Sequence, residues 1–181
     1  VEYRNEEVKE IMRTRAIYLL YPLFGLFFST AAFGDQPNGR GKGRGGMRGP
    51  LPEEQRTIIH ELAENHKKLT RKVEMTKTGY VATTTSEDKN LAEKLKKHFR
   101  YMKKRLDSGA MVRRWDPAYA EMTGYYDQLK VEVQELPKGL KVTISGKNAE
   151  ATKVAQNHAK IVTKFVKKGS DELHEKHPAA N

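Results

Sequence analysis

The sequence predicts an α+β fold built by internal duplication. A helix–strand–strand–helix unit is used twice, giving an antiparallel four-stranded sheet with the helices on one face. Three observations predict it. Residues 79–109 (GYVATTTSEDKNLAEKLKKHFRYMKKRLDSG) align without a gap on residues 139–169 (GLKVTISGKNAEATKVAQNHAKIVTKFVKKG), about 60 residues further on. The shift sets Gly79 on Gly139, Thr83 on Thr143, His98 on His158, Met102 on Val162 and Gly109 on Gly169; upstream it sets Leu62 on Met122 and Leu69 on Leu129. Second, Val131 and Val133 alternate with Lys130, Glu132 and Gln134, and Leu140, Val142 and Ile144 with Lys141, Thr143 and Ser145. That period of two means strands with one dry and one wet face. Third, a lone hairpin is marginal in water, so two units gain by sharing one core about a pseudo-twofold axis.

The chain divides in order. Residues 1–34 read as a secretory signal peptide: Arg13 and Arg15, an uncharged apolar run over 16–28, then Ala32 and Gly34 ahead of a cleavage near Gly34. Residues 1–11 are acidic and precede Met12, the first plausible start, so they read as upstream of the true start. An uncleaved anchor is the alternative, although the run is short for a span and is interrupted by Pro22 and Gly25. The expected location is periplasmic or secreted. Residues 35–50, rich in Gly and Arg, cannot bury a core and read as a flexible linker.

Residues 51–169 form one domain of two repeats, 51–109 and 110–169. In the first repeat Pro52 with Glu53 and Glu54 starts a helix, whose stripe is Ile59, Leu62, His66, Leu69 and Val73. Strands follow at 71–76 and 80–85, with Gly79 supplying the turn, and Ser86-Glu87-Asp88 caps a helix over 87–106 that Gly109 stops. In the second repeat Asp116 and Pro117 start a helix with Trp115 stapling it. Strands at 130–135 and 140–145 and a helix over 147–168 complete the plan, with Ala151, Val154, Ala155, His158, Ile161, Val162 and Phe165 inward. The polar tail 170–181 is expected to fray.

Composition limits the chemistry. The chain has no cysteine, which rules out disulfides, thiolate metal sites, covalent haem attachment and a cysteine nucleophile. Its first 34 residues balance Arg4, Lys9, Arg13 and Arg15 against Glu2, Glu6, Glu7 and Glu10, so the whole net charge of +11 lies downstream. That surface favours anionic partners.

The inward histidines are the first site candidates. His66, His98 and His158 lie on apolar stripes, with Met102 nearby on the stripe of His98; this set would suit copper or a non-covalently held haem. Each is also explained as a buried polar group satisfied by a carbonyl or a water. A second constellation, Arg114, Trp115 and Asp116 with Tyr126, places arginine, an aromatic face and a carboxylate together as a ligand site. The plainer reading is a joint between the repeats. The run Thr83-Thr84-Thr85-Ser86 lacks the glycines and lysine of a phosphate loop and reads as strand and cap. Lysines on both long helices, with the Gly/Arg linker, could lie on an anionic surface or polyanion, including peripheral contact with a membrane. Aromatics that would stack bases are not interleaved, so no specific nucleic acid is expected.

The elements Thr83-Thr84-Thr85-Ser86, His98, Arg113-Arg114-Trp115-Asp116-Pro117 and His158, in this order, resemble those of a group of small exported bacterial proteins with no established activity. The resemblance covers roughly residues 49–178, and the Arg-Arg-Trp-Asp-Pro element is its most specific part. It implies the same architecture and puts His66, His98, Arg114, Trp115, Asp116 and His158 on recurring positions. Those proteins often carry a histidine near the position of Tyr125, so the resemblance counts against a fourth histidine ligand here.

The sequence therefore leads to an exported, non-catalytic binding protein holding a metal ion or haem through its histidines. The alternative is a basic envelope module for anionic lipid, polysaccharide or a protein partner. Neither an activated nucleophile nor a paired-carboxylate signature argues for an enzyme.

Overall fold

The alternating, β-branched segments form four strands of equal length: β1 (Leu69–Thr76), β2 (Gly79–Ser86), β3 (Leu129–Leu136) and β4 (Gly139–Gly146). In the computed structural model, which describes residues 49–181, all neighbours are antiparallel and the order is β1-β2-β4-β3. The segments read as signal peptide and as all but the end of the linker lie outside the described residues.

The central register has a local twofold relation. Ala82 lies opposite Val142, its own partner in the alignment of the two halves; Tyr80 lies opposite Ile144, and Thr84 opposite Leu140. Gly79 and Gly139 are needed for space where these strands pass. A Cβ at Gly79 would fall 1.9 Å from the Ile144 carbonyl oxygen, and one at Gly139 would fall 2.1 Å from that of Thr84. Close backbone approach, rather than the positive φ expected of a turn residue, is the requirement at Gly79.

Among the described residues four helices accompany the sheet: α1 (Glu53–Glu64), α2 (Lys89–Asp107), α3 (Pro117–Gly124) and α4 (Ala149–Lys168). Asp88, not Ser86, caps α2; its Oδ1 accepts from the backbone N–H of Asn90 and Leu91 at 2.9 and 3.3 Å. Ser86 instead ties the strand end, donating its hydroxyl to the Lys68 carbonyl and accepting from the Asp88 N–H. Asn148 caps α4 and Asp116 caps α3, the latter as the sequence predicts.

The core lies on one face of the sheet. Tyr80, Ala82, Leu140, Val142 and Ile144 meet Ala151, Val154, Ala155 and Ala159 of α4, with Leu95, Phe99 and Leu106 of α2 packed on the same cluster. Small residues along α4 let its backbone approach the sheet. α1 packs on α2 through Ile58, Leu62 and Leu91. Ile58, not Ile59, is its buried isoleucine; His66 sits in a 3-10 turn (His66–Lys68) after a helix that stops earlier than its stripe implies, and Tyr126 sits in another (Tyr126–Gln128) after α3. The opposite sheet face carries Thr70, Lys72 and Glu74 of β1 with Lys130, Glu132 and Gln134 of β3, all solvated.

The tail departs from expectation. It does not fray. The 3-10 turn Gly169–Glu172 packs on α4 and α1, and His177 is buried against the start of α3. Asn157 donates to the Pro178 carbonyl, and the Glu121 carboxylate accepts from the backbone N–H of Ala180 and Asn181. A polar sequence with one buried histidine is held by specific partners, which composition does not reveal.

Ala155 has no exposed surface. Ala155→Leu should destabilise the fold by about 1–3 kcal/mol through overpacking, read as a lower urea midpoint with native far-UV circular dichroism retained in buffer.

Candidate anion-binding cleft

The three inward histidines occupy separate places. His66 sits beneath the end of α4, where its Nδ1–H donates to the Val166 carbonyl at 3.0 Å and a Cβ at Gly169 would fall 2.3 Å from its ring. His158, in the middle of α4, meets Tyr119 edge-on, with ring centroids 5.8 Å apart. His98 lies on α2 with its Nδ1 buried and lacking a hydrogen-bond partner among the described residues; Met102 is half-buried one turn on. Burial pushes both His98 and His158 down to about 4, with the charge of Arg71 adding to the effect at His158. Both imidazoles are therefore neutral at pH 7. Among the described residues no three His, Cys, Asp or Glu side chains are grouped to hold a metal ion.

Beside His66 lies a cleft of about 460 Å³ between β1 and the end of α4, lined among others by Lys67, Thr70, Arg71, Thr163 and Lys167. Arg71 is its most unusual member. Strand alternation turns it toward the core with Leu69 and Val73, opposite Thr84. Its Nη1 donates to Thr84 Oγ1 at 2.8 Å and its Nε to Thr163 Oγ1 at 3.4 Å, and the Tyr80 hydroxyl lies close by. Burial lowers the Arg71 pKa, and it raises that of Tyr80 to about 12 against the opposing pull of Arg71. No carboxylate forms an ion pair with Arg71 among the described residues.

The contrast with α2 is sharp. Its basic row, expected as a face for anions, is largely neutralised within the fold: Lys94 pairs with Glu61 at 2.6 Å, Lys96 with Glu93, Lys97 with Glu54, Arg100 with Glu135 and Lys103 with Asp107. Arg105 turns inward and donates to the carbonyls of Met111 and Gly49.

The polar set around Arg71 belongs to one half only. In the alignment of the halves Arg71 corresponds to Val131, Tyr80 to Leu140, Thr84 to Ile144, Tyr119 to Ile59 and Thr163 to Lys103. Apolar side chains fill nearly all these positions in the other half, so the framework does not require an inward-facing guanidinium here.

The second predicted constellation is a latch. Arg113, not Arg114, is its cation: Arg114 is exposed, while the Arg113 guanidinium lies 4.2 Å from the Trp115 ring centroid and 5.2 Å from that of Phe165. Arg113 donates to the carbonyls of Leu173 and Glu175 and holds Asp116 at 3.4 Å. Trp115 is 46% exposed, so it covers the guanidinium and leaves the core edge to others. Asp116 is fully buried; its Oδ1 accepts from the N–H of Ala118 and of His177, and its Oδ2 faces His177 Nδ1 at 2.7 Å. His177 Nε2 meets Glu172 Oε1 at 2.9 Å, and Lys168 meets Glu172 at 3.0 Å. Burial alone would raise the Glu172 carboxyl, but hydrogen bonds from His177 and Lys168 and the charge of Lys168 hold it below its ordinary value. These contacts join the tail to the start of α3. Tyr126 stands apart, donating its hydroxyl to Asp107 Oδ1 at 2.9 Å; burial raises its pKa, and that carboxylate adds to the rise.

Arg71, Arg113, Glu172 and His177 are thus the residues that sequence reasoning missed. A signal existed for Arg71, because the alignment sets it against Val131 on the dry face of its strand. For Glu172 and His177, in the polar tail, there was none. Comparison with protein-family models, with curated proteins and with solved structures finds no match to this chain.

Between about pH 6.5 and 4 the unfolded chain binds more protons at His98 and His158 than the folded one. With respect to these groups stability is full above pH 6.5 and falls with pH by up to about 1.4 kcal/mol per unit for each histidine. Urea unfolding at pH 7 and 4.5 should show this loss, and the double variant His98→Gln/His158→Gln should flatten it. His177→Ala leaves two buried carboxylates without their shared donor and should cost about 3–5 kcal/mol, measured by urea unfolding at pH 7.

Proposed function

We propose that the protein is a non-catalytic binding module that takes an anionic group, a carboxylate or phosphate, in the cleft headed by Arg71. One observation carries this reading: the partly buried Arg71 guanidinium faces only hydroxyls among the described residues, while Lys94, Lys96, Lys97, Arg100 and Lys103 of α2 have carboxylate partners. Withdrawing a charge even partly from water without a counter-ion carries a desolvation cost that a marginally stable small domain has to offset. An oxyanion entering the cleft would offset that cost, because guanidinium donors match carboxylate and phosphate oxygens in pairs. Lys67 and Lys167 would add charge at the rim, and Thr70 an exposed hydroxyl.

The chemistry fits binding better than turnover. Thr163 donates its hydroxyl to the Ala159 carbonyl, and the Nδ1–H of His66 is engaged by Val166, so neither is arranged as an activated nucleophile and base. The metal or haem reading of His66, His98, His158 and Met102 has less support, since among the described residues no further ligand joins them. With residues 1–34 read as an export signal, the cleft would work outside the cytoplasm.

Arg71→Val gives the first half the residue that the second half carries at Val131. Its stability should be unchanged or higher, whereas saturable chemical-shift changes at Thr70 and Thr163 on titration with inorganic phosphate or acetate should disappear. Equal anion affinity in Arg71→Val and the parent protein would refute the assignment.

A further inference from the structure

Resting on that reading, we infer that the anionic group belongs to a linear acidic polysaccharide, which leaves the cleft and runs along α4. Lys153, Lys160, Lys164 and Lys167 are all exposed on this helix. Steps of seven, four and three residues keep them within one narrow stripe, roughly 21 Å long at the helical rise. None of the four forms an ion pair among the described residues, and the nearest acid on α4 itself is Glu150 in the first turn. Lys168 and Glu172 pair with each other beside the stripe. Lys167 lines the cleft as well as ending the stripe, so the row of point charges leads directly to Arg71.

The shape and composition of this ridge select its occupant. A row one side chain wide matches a chain with charges spaced along it and offers no plane to a bilayer. Among the described residues the exposed large apolar side chains, Met75, Trp115 and Val133, lie elsewhere, so α4 has nothing to insert among lipid tails. No exposed aromatic residue stands on the ridge to stack bases, which disfavours single-stranded nucleic acid. Sugar hydroxyls and ring carboxylates need hydrogen-bonding groups and cations without a stacking platform. Thr70 and Thr163 in the cleft, with lysines beyond, supply both. Lysine suits this use: its ammonium is a compact charge on a flexible stem, tolerant of irregular spacing.

The test uses the full chain and a fluorescent polygalacturonate oligomer of about ten residues. Its affinity is measured by anisotropy at about 50 and 200 mM salt, beside a single-stranded oligonucleotide and anionic phosphatidylglycerol vesicles. The double variant Lys153→Glu/Lys160→Glu changes only exposed side chains that do not line the cleft. It should bind the oligomer at least tenfold more weakly, with a shallower salt dependence, while phosphate titration of the cleft stays as in the parent protein. Unchanged oligomer affinity in that variant overturns the ridge. So does oligonucleotide or vesicle binding as tight as that of the oligomer at equal salt. Failure of the cleft alone looks different: phosphate and Arg71→Val then have no effect, whereas the lysine variant still weakens the oligomer.

Discussion

The pairing of β2 with β4 is the constraint on which the rest of the molecule depends, because it turns two marginal hairpins into one sheet with one dry face. Ala82 and Val142 face each other at its centre, and Gly79 and Gly139 let each strand pass within contact distance of the other's backbone. The row Tyr80, Ala82, Leu140, Val142 and Ile144 becomes continuous only when these strands are adjacent, and the small residues of α4 then settle on it. The end of α4 is thereby brought over β1. That placement creates the cleft and sets Thr163 and Lys167 beside Arg71.

The fold handles its buried charges in two ways. In the latch every charge has a partner: Asp116 and Glu172 flank His177, and Arg113 and Lys168 complete the set. The ring's two nitrogens each face a carboxylate, Asp116 on one side and Glu172 on the other. Such a network orders the tail, and breaking any member exposes the cost of the others. Arg71 is the opposite case. Its contacts are hydroxyls, its charge lowers the proton affinity of neighbouring His158, and the equivalent place in the other half is apolar. A charge held at a cost that the framework can avoid is a candidate for work done on a ligand.

Much of the architecture was legible because it rests on local periodicity. The alternation over β3 and β4, the cap at Asp116 and the glycine stops at Gly109 and Gly169 each follow from the geometry of a few neighbouring residues. The histidines were read correctly as inward, yet turning inward does not bring them together. His66 ends at a carbonyl of α4, His158 at Tyr119, and His98 has its buried nitrogen without a partner among the described residues. The lysines of α2 looked like a free basic face because their acidic partners come from α1, β3 and neighbouring turns of the helix. In the Arg-Arg-Trp-Asp-Pro element, Arg113 and not Arg114 turned inward, at the left-handed φ of 48° that places its guanidinium under Trp115.

By itself the sequence determined the class of fold, most of the strand alternation and where the helices begin to within a few residues. Those properties are set by contacts between near neighbours, and near neighbours can be read from spacing alone. Only the tertiary structure decided which charges cancel and which remain. Glu61 reaches Lys94, Asp116 reaches His177, and no carboxylate among the described residues reaches Arg71. Pairing between side chains far apart in sequence depends on how helices lie on a sheet, and that has no local signature.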